Sequence, residues 1–252
     1  SAPPATTTVS DDVHLEATTY VDAAHPRIVA TAQRIVGGAA NDRERAILLH
    51  DFVRDEIRFG FAPRFWDQTA SEVLESGVGF CNTKSTLFVA LLRAVGIPAR
   101  QSFVTIDARI LDGVIDPRTA YVDHSFAEVS IDGEWIKTDS YIVDRTLARV
   151  ARAQLREQGR VIGLGVHVNG VSDWDGRSDA FSQFVDDGTL PNLSTRNHGV
   201  YPDVGAFARS GKAKNVLRGP AKWFFGFFAR AANRRADAIR SRAIVSQISD
   251  AR

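Results

Sequence analysis

The chain carries a single cysteine, Cys81, at the start of a predicted helix. Apolar residues recur through this helix at the spacing of one buried stripe: Leu87, Phe88, Leu91, Leu92 and Val95. Gly77 and Gly79 interrupt the chain before Cys81, and Gly96 and Pro98 end the helix. A thiol at such a corner lies beside free backbone N–H groups and the positive end of the helix dipole, which favour a thiolate and an oxyanion. The alternative is that Cys81 is a small buried apolar residue.

A β-hairpin is predicted beyond this helix. Two strand-like segments, residues 121–131 and 134–141, flank Asp132-Gly133, which is a preferred two-residue hairpin turn. With this turn, Glu128 faces Lys137 across the strands. An opposite-charge pair at facing positions stabilises a hairpin, so it supports this register.

The same register brings a histidine and a carboxylate together. Phe126 faces Asp139, and His124 lies two residues from Phe126 on the same face of the hairpin. Diagonal neighbours of this kind are about 7–8 Å apart in the backbone, within reach of a side-chain hydrogen bond. Cys81, His124 and Asp139 would then supply a nucleophile, a base and a carboxylate that orients the base. The alternative is that His124 lies in a core and Asp139 ends a strand.

The order of these segments resembles the transglutaminase-like superfamily of papain-type thiol enzymes. The resemblance lies in a cysteine at the head of the segment LFVALLRAVGIPAR and in HSFAEVSIDGEWIKTD, which holds the histidine and the aspartate. It covers about residues 26–141. It implies an α+β fold in which N-terminal helices precede a Cys helix that packs on an antiparallel β-sheet, and we expect a C-terminal helical extension beyond it.

The resemblance also implies roles for individual residues. Cys81 would be the nucleophile, His124 the general base and then acid, and Asp139 the orienting carboxylate. The backbone N–H of Cys81 would form half of the oxyanion hole, with Gln68 and Trp66 as candidates for the second donor. The residues expected to line the substrate cleft are Phe65, Phe80, Asn82 and Phe126.

The composition is that of an ordinary globular protein. The 252 residues, 44% hydrophobic and 24% charged, fit one large domain or one average domain with an extension. We predict a flexible lead-in at residues 1–12, a catalytic core at residues 13–150 and an extension at residues 151–252 that packs on or over the core. In that extension His167 and His198 lack neighbouring ligands at metal-site spacing, so we expect no metal and no cofactor.

Cysteine usage and hydropathy bear on the cellular compartment. A lone cysteine forms no internal disulfide, and a reducing, cytoplasmic location is the simplest expectation. The sequence has no apolar run of about 18 residues that would span a bilayer, and its N-terminus lacks a signal-peptide pattern. The chain begins at Ser1 and contains no Met, so the question of a removed targeting segment stays open.

The C-terminal part of the chain is basic, with 11 Lys or Arg against 2 Asp or Glu in residues 205–252. A helix is predicted from Pro220 onward. One face of it would carry Trp223, Phe224, Phe227, Phe228 and Ala231, followed by Arg234, Arg235, Arg240 and Arg242. We expect this stripe to cover the domain's own apolar face, and contact with a membrane surface is the less favoured alternative. The charge is not accompanied by a nucleic-acid-reading module, so we expect no nucleic-acid partner.

Two hypotheses for the function follow. The first is a thiol enzyme with a catalytic triad that acts on a peptide, amide or thioester, free or carried by another protein, through an acyl-Cys intermediate. Water as acceptor makes it a hydrolase, either a thiol protease or an amidase, whereas an amine makes it an acyltransferase. The second is a binding module that keeps the fold without turnover and holds a partner with its aromatic loop, residues 59–68, and its basic tail. A complete triad favours the enzyme, because binding alone requires none of its three groups.

Overall fold

The computed structural model describes residues 11–189, 196–215 and 221–250. Most of the lead-in predicted for residues 1–12 lies outside these ranges, and its last two residues begin a short 3₁₀ helix, Asp11–His14. Within the described ranges, no helix has the length and apolarity needed to cross a membrane.

Helices and strands are interspersed along the chain. The helices are α1 (Pro26–Val36), α2 (Asp42–Glu56), α3 (Ala70–Ser76), α4 (Cys81–Ala94), α5 (Arg145–Glu157), α6 (Val204–Arg209) and α7 (Ala221–Asp250), with a 3₁₀ helix at Ala108–Leu111. The strands are β1 (Arg58–Phe59), β2 (Val78–Gly79), β3 (Ala99–Asp107), β4 (Tyr121–Ile131), β5 (Glu134–Thr138), β6 (Ile162–Gly163), β7 (Val166–His167) and β8 (Arg196–Tyr201). The fold is α+β, as predicted.

The main sheet is antiparallel, with strand order β5-β4-β3-β8. The predicted hairpin is confirmed, because β4 and β5 flank Asp132-Gly133 and Glu128 pairs with Lys137. Strand β5 ends at Thr138, which is three residues earlier than predicted. The difference arises because the Asp139 N–H donates to the carbonyl of Ala180, 3.0 Å away, so the chain leaves the ladder at that point.

Local capping explains where the N-terminal helices begin. The Asn41 side chain accepts from the Glu44 N–H, and the Glu44 carboxylate accepts from the Ala40 N–H, so these two side chains cap the start of α2. Thr69 and Glu72 form a capping box at the start of α3. Gly77 ends α3 in the left-handed conformation, at φ 62°, which a glycine adopts without strain.

Helix α4 is the centre of the molecule, packed on the sheet through β3 and β4 and covered by α1, α2 and α3. Its residues from Cys81 to Arg93 are all buried. The buried Lys84 ammonium donates to the carbonyl of Ile57, 2.6 Å away, and to that of Arg54, so it satisfies the end of α2. Burial lowers the pKa of Lys84 to about 7.

The extension shares the hydrophobic core of the preceding residues rather than forming a separate one. Strand β8 adds to the sheet beside β3, and α7 packs against α5. Arg240 of α7 donates to the Asp144 carboxylate and to the Phe59 carbonyl, and Asn233 bonds the backbone of Phe61. These contacts tie the extension to the aromatic loop that precedes Cys81.

The predicted face of α7 is wrong where the structure describes it. Phe227 and Phe228 are 71% and 60% exposed, and the face that packs on the domain is instead formed by Phe225, Ala229, Ala232, Ala236 and Ile239. The side chains of Trp223 and Phe224 lie outside the described part. Aromatic residues occur on every side of this helix turn, and the small alanines select the face because they allow close packing on the domain.

Candidate active site

Cys81 is the first residue of α4, as predicted, and its sulfur lies in a buried polar corner. The residue is 8% exposed, and Sγ lies 3.7 Å from Asn82 Oδ1 and 3.9 Å from the Asp123 carbonyl oxygen. The residue before the helix, Phe80, has no side-chain acceptor, so its side chain does not cap the first N–H groups of α4. These backbone N–H groups have no intrahelical partner.

A close backbone approach holds this corner in place. Strands β1 and β2 pair in parallel, with Phe59 opposite Gly79 just before the cysteine. A Cβ on Gly79 would lie 2.8 Å from Lys84 Cγ and 2.9 Å from Thr83 Oγ1, so only glycine fits. The Thr83 hydroxyl accepts from the Phe80 N–H at 3.0 Å and fixes the turn into α4.

His124 lies on β4 and bonds the Asp139 carboxylate. Its Nε2 is 3.0 Å from Asp139 Oδ2, and the two side chains are 1% and 0% exposed. Among the described residues, His124 Nδ1 has no hydrogen-bond partner. Burial alone lowers the pKa of His124, but the hydrogen bond with Asp139 and the neighbouring Cys81 sulfur outweigh it and raise the pKa to about 9. The imidazolium form is therefore stabilised inside the fold.

Three successive backbone amides of the extension surround the Asp139 carboxylate. The Ser182 N–H donates to Oδ1, the Phe184 N–H donates to Oδ2 at 2.8 Å, and the Gln183 N–H lies 3.2 and 3.3 Å from the two oxygens. Hydrogen bonds from amides stabilise an ionised carboxylate. The charge that faces His124 is thus held by residues far beyond the hairpin.

The residues that follow Asp139 are anchored in the same way. Ser140 Oγ lies 2.7 Å from Nε2 of His50, a histidine of α2. The Tyr141 hydroxyl lies 2.7 Å from Oγ of Ser85, on α4. These two bonds tie the chain after β5 to both α2 and α4, so they fix the distance between the Asp139 carboxylate and the cysteine helix.

A cavity of about 330 Å³ opens beside Cys81. It is bordered by Cys81, Asn82, Asp123, His124 and Gln183, by loop residues Pro117, Arg118, Thr119, Lys214 and Asn215, and by the apolar side chains of Phe59, Phe61, Phe65, Phe80, Ile106, Ile110, Leu111, Ile115, Val122 and Phe225. The phenylalanines of the aromatic loop, Phe59, Phe61 and Phe65, all border this cavity.

Three of the four residues expected in the cleft line the cavity. Phe65, Phe80 and Asn82 line the cavity, but Phe126 does not. Phe126 packs instead in a second apolar cluster, where its ring stacks on Phe184 with centroids 5.5 Å apart. The reason is that residues 180–184 cover this part of β4, which the hairpin pattern alone did not reveal.

The two side chains expected as second oxyanion donors lie away from the lining of this cavity. Trp66 borders a smaller neighbouring pocket together with Asn82 and Asp123. Gln68 is buried, and within the described part of the chain its Oε1 has no hydrogen-bond partner. Their roles therefore stay predictions.

Asp123 is a site residue that the sequence analysis missed. Its Oδ2 accepts from the N–H groups of Lys214 and Asn215, both at 2.7 Å, and its own N–H donates to Asn215 Oδ1. These bonds hold residues 214 and 215 at the cavity. Burial raises the pKa of Asp123, and its Oδ1 has no partner among the residues that the structure describes.

The described residues contain no group of three or more His, Cys, Asp or Glu that could hold a metal ion. His167 accepts from the Asn169 N–H through Nδ1, and His198 Nε2 lies 2.8 Å from the Thr105 hydroxyl. The absence of a metal or cofactor stays a prediction.

Comparison with known proteins gives a match to one family model. Residues 29–140 match the model described as the transglutaminase-like superfamily, and no curated protein matches the chain. A solved structure of a "putative cysteine protease" from Cytophaga hutchinsonii is 18% identical, with a TM-score of 0.43, over 54% of this chain and 44% of that one. A "putative protease" from Parabacteroides distasonis is 18% identical, with a TM-score of 0.35, over 50% of this chain and 24% of that one. The chain thus spans less than half the length of either protein.

Proposed function

We propose that the chain, whose residues 29–140 match the model of the transglutaminase-like superfamily, is a thiol-dependent enzyme that forms an acyl-Cys intermediate on Cys81. Its reaction is amide hydrolysis or acyl transfer. The observation that carries the proposal is the hydrogen bonding of His124 beside the buried Cys81 thiol. Its Nε2 lies 3.0 Å from Asp139 Oδ2, and its Nδ1 has no hydrogen-bond partner among the described residues.

The first step is formation of the thiolate. The proton of Cys81 Sγ passes to His124 Nδ1, and the Asp139 carboxylate stabilises the resulting imidazolium. The raised pKa of His124 favours this ion pair. The thiolate then attacks the carbonyl carbon of a peptide, amide or thioester.

The N-terminus of α4 stabilises the oxyanion of the tetrahedral intermediate. The Cys81 N–H supplies one donor. As the second donor we propose the NH₂ group of the Asn82 carboxamide, because this side chain borders the cavity. Its Oδ1 lies 3.7 Å from Sγ, so the carboxamide turns its NH₂ group toward the oxyanion in this role. His124 then protonates the leaving amine or thiolate, and the acyl group stays on Cys81.

The acceptor completes the cycle. His124 removes a proton from water or from an amine as it attacks the acyl-Cys carbonyl, and the thiolate leaves. Water gives a peptidase or amidase and an amine gives a transferase. Both outcomes use the same three residues, so the triad itself does not choose between them.

Alkylation with iodoacetamide across pH tests the proposal. We expect rapid labelling of Cys81 near pH 6, about two units below the ordinary thiol pKa. The His124→Ala variant should label slowly until the pH approaches that ordinary value. His50→Ala is the matched control, because His50 is equally buried and bonded to a carboxylate but belongs to the core.

The competing hypothesis is a binding module of the same fold without turnover. It predicts slow labelling of Cys81 with an ordinary thiol profile that His124→Ala leaves unchanged. That result would exclude the enzyme. A mass shift on Cys81 after incubation with an acyl donor would instead identify the donor directly.

A further inference from the structure

We propose that the cavity beside Cys81 binds an apolar acyl group, so that the preferred substrates carry a chain of several methylenes or an aromatic ring on the carbonyl that Cys81 attacks. The proposal rests on the thiol chemistry proposed above and adds the class of acyl donor.

An aromatic cluster forms one side of the cavity. Phe65 stacks on Phe80 with ring centroids 4.8 Å apart, and Phe80 stacks on Phe61 at 5.3 Å. Phe225 of α7 contacts Phe65 at 4.7 Å. Rings that pack on one another hold a fixed wall, which reduces the entropy lost when an apolar group binds.

Phe65 is held in an unusual backbone conformation at this wall. Its φ is 56°, in the left-handed region that residues other than glycine rarely adopt. A bulky residue in this region costs free energy that the surrounding contacts must offset, and such residues cluster at ligand sites. The conformation places its ring against both Phe80 and Phe225.

Aliphatic side chains form the facing side of the cavity. Ile106 of β3, Val122 of β4 and Ile110 belong to one buried apolar cluster, and Leu111 and Ile115 complete this side. The cavity therefore has apolar walls on two sides, contributed by different elements. Its size of about 330 Å³ lies in the range of small-molecule sites.

Some of the polar groups of the cavity lie next to the thiol, where the reacting carbonyl would lie. Asn82 and His124 adjoin Cys81, and the Asp123 carbonyl is 3.9 Å from Sγ. The charged side chains of Arg118 and Lys214, which also border the cavity, are exposed to solvent. A carbonyl at Cys81 with an apolar tail along the two walls matches the polar groups beside the thiol and the apolar side chains beyond it. A polar acyl group would lose hydration against the apolar walls.

Acyl thioesters of N-acetylcysteamine test this assignment. Cys81 Sγ forms a bond to the acyl carbon, the carbon–sulfur bond to N-acetylcysteamine breaks, and the imidazolium of His124 returns the proton to the released thiolate. Because each buried methylene contributes about 0.8 kcal/mol, the rate constant of Cys81 acylation per molar donor should rise roughly fourfold per added methylene from acetyl to octanoyl. Equal rates for acetyl and octanoyl donors would overturn the proposal.

Two substitutions in the wall sharpen the test. Ile115→Trp fills the cavity from a loop and should lower the octanoyl rate much more than the acetyl rate, so that the ratio of the two rates falls toward one. Phe225→Ala enlarges the cavity and should move the preferred length to decanoyl or dodecanoyl. Phe227→Ala is the matched control, because Phe227 is on the same helix but 71% exposed. A wall substitution that changes acetyl and octanoyl rates by the same factor would contradict the proposal.

Binding without chemistry separates this proposal from the proposed function. The Cys81→Ala variant should bind octanoate and not acetate in isothermal titration calorimetry, and adding Ile115→Trp should abolish octanoate binding. If no thioester acylates the wild type but octanoate binds in this pattern, the acyl site stands and the enzyme does not. If donors acylate Cys81 but octanoate binding is absent and rates ignore chain length, the enzyme stands and the acyl site does not.

Discussion

His50 and His124 are both buried, both hydrogen-bonded to an aspartate, and connected to adjacent residues of the same loop. His124 bonds Asp139, whereas His50 bonds Asp51 through Nδ1 at 2.9 Å and Ser140 through Nε2 at 2.7 Å. Both nitrogens of His50 are thus occupied. The ring of His50 packs among Phe88, Tyr141 and Trp174, with centroids 6.1, 5.9 and 5.5 Å away.

The difference shows that burial beside a carboxylate does not by itself make a base. Burial lowers the pKa of His50, and the hydrogen bond that its ring donates to the Asp51 carboxylate opposes this without overcoming it. The pKa of His124 moves in the other direction, because its carboxylate is fully buried and a thiol adjoins the ring. A histidine that keeps one nitrogen unoccupied beside a cavity can exchange a proton, and one with two occupied nitrogens holds the fold together.

The largest difference is expected from removing each ring. His124→Ala should lower kcat by about 10³- to 10⁴-fold, since it removes the general base and acid. His50→Ala should lower kcat less than tenfold but reduce the free energy of unfolding by about 2–4 kcal/mol, because it leaves a buried void and removes one of the two hydrogen-bond partners of the Ser140 hydroxyl. Single-turnover acylation and urea denaturation measure the two effects. Equal losses of kcat would erase the distinction between the two histidines.

Replacing the carboxylate that bonds each histidine should also lower kcat more at His124 than at His50, by a smaller factor than removing the rings. Asp139→Asn places an amide among three backbone N–H donors and should lower kcat by about 10²- to 10³-fold. Asp51→Asn changes a side chain that is 42% exposed, so kcat should stay within about threefold. The same acylation assay compares the two variants. An Asp139→Asn variant with unchanged kcat would show that the carboxylate does not orient His124.

The two rings should also affect the pH dependence of stability with opposite signs. His124 has a pKa raised to about 9, so its stabilisation is fully present below an unfolded pKa of about 6.5 and is lost as pH rises through about 9. His50 has a lowered pKa, so its stabilisation is present above about 6.5 and is lost as pH falls below that value. Urea denaturation of His124→Gln and His50→Gln from pH 5 to 9.5 measures both contributions. The assignments would be contradicted if the loss in free energy of unfolding, relative to wild type, changed with pH in the same direction for both variants.

Ser140→Ala should have the smallest effect. It removes the hydroxyl that bonds His50 Nε2 but leaves Asp139 and its amide donors in place. We expect the free energy of unfolding to fall by about 1–2 kcal/mol and kcat to change less than threefold. A large loss of kcat would mean that the His50 contact positions Asp139, and so would join the two histidines into one functional unit.

Local patterns in the sequence predicted the parts of the site that depend on spacing. The Asp132-Gly133 turn predicted the register of β4 and β5, and the register placed His124 near Asp139. The glycines before Cys81 and the apolar stripe after it predicted the start of α4. These features depend on neighbours a few residues apart, or on one short turn.

The parts that were missed depend on contacts between distant segments. The donors around Asp139 are backbone amides of residues 182–184, and a backbone amide leaves no signal in the residue types. Phe225 reaches the cavity because alanines of α7 select its packing face, whereas the aromatic pattern of that helix predicted a different one. Phe126 was assigned to the cleft because nothing in the hairpin indicates that Phe181 and Phe184 cover it.

The position of those amide donors along the chain has a consequence for synthesis. A nascent chain that has emerged as far as the hairpin already contains the thiol, the imidazole and the carboxylate, but the carboxylate then lacks the N–H groups that hold its charge in the fold. We expect the thiol to become reactive only after residues 182–184 have left the ribosome and docked, so that a partly made protein is protected from premature reaction with its surroundings.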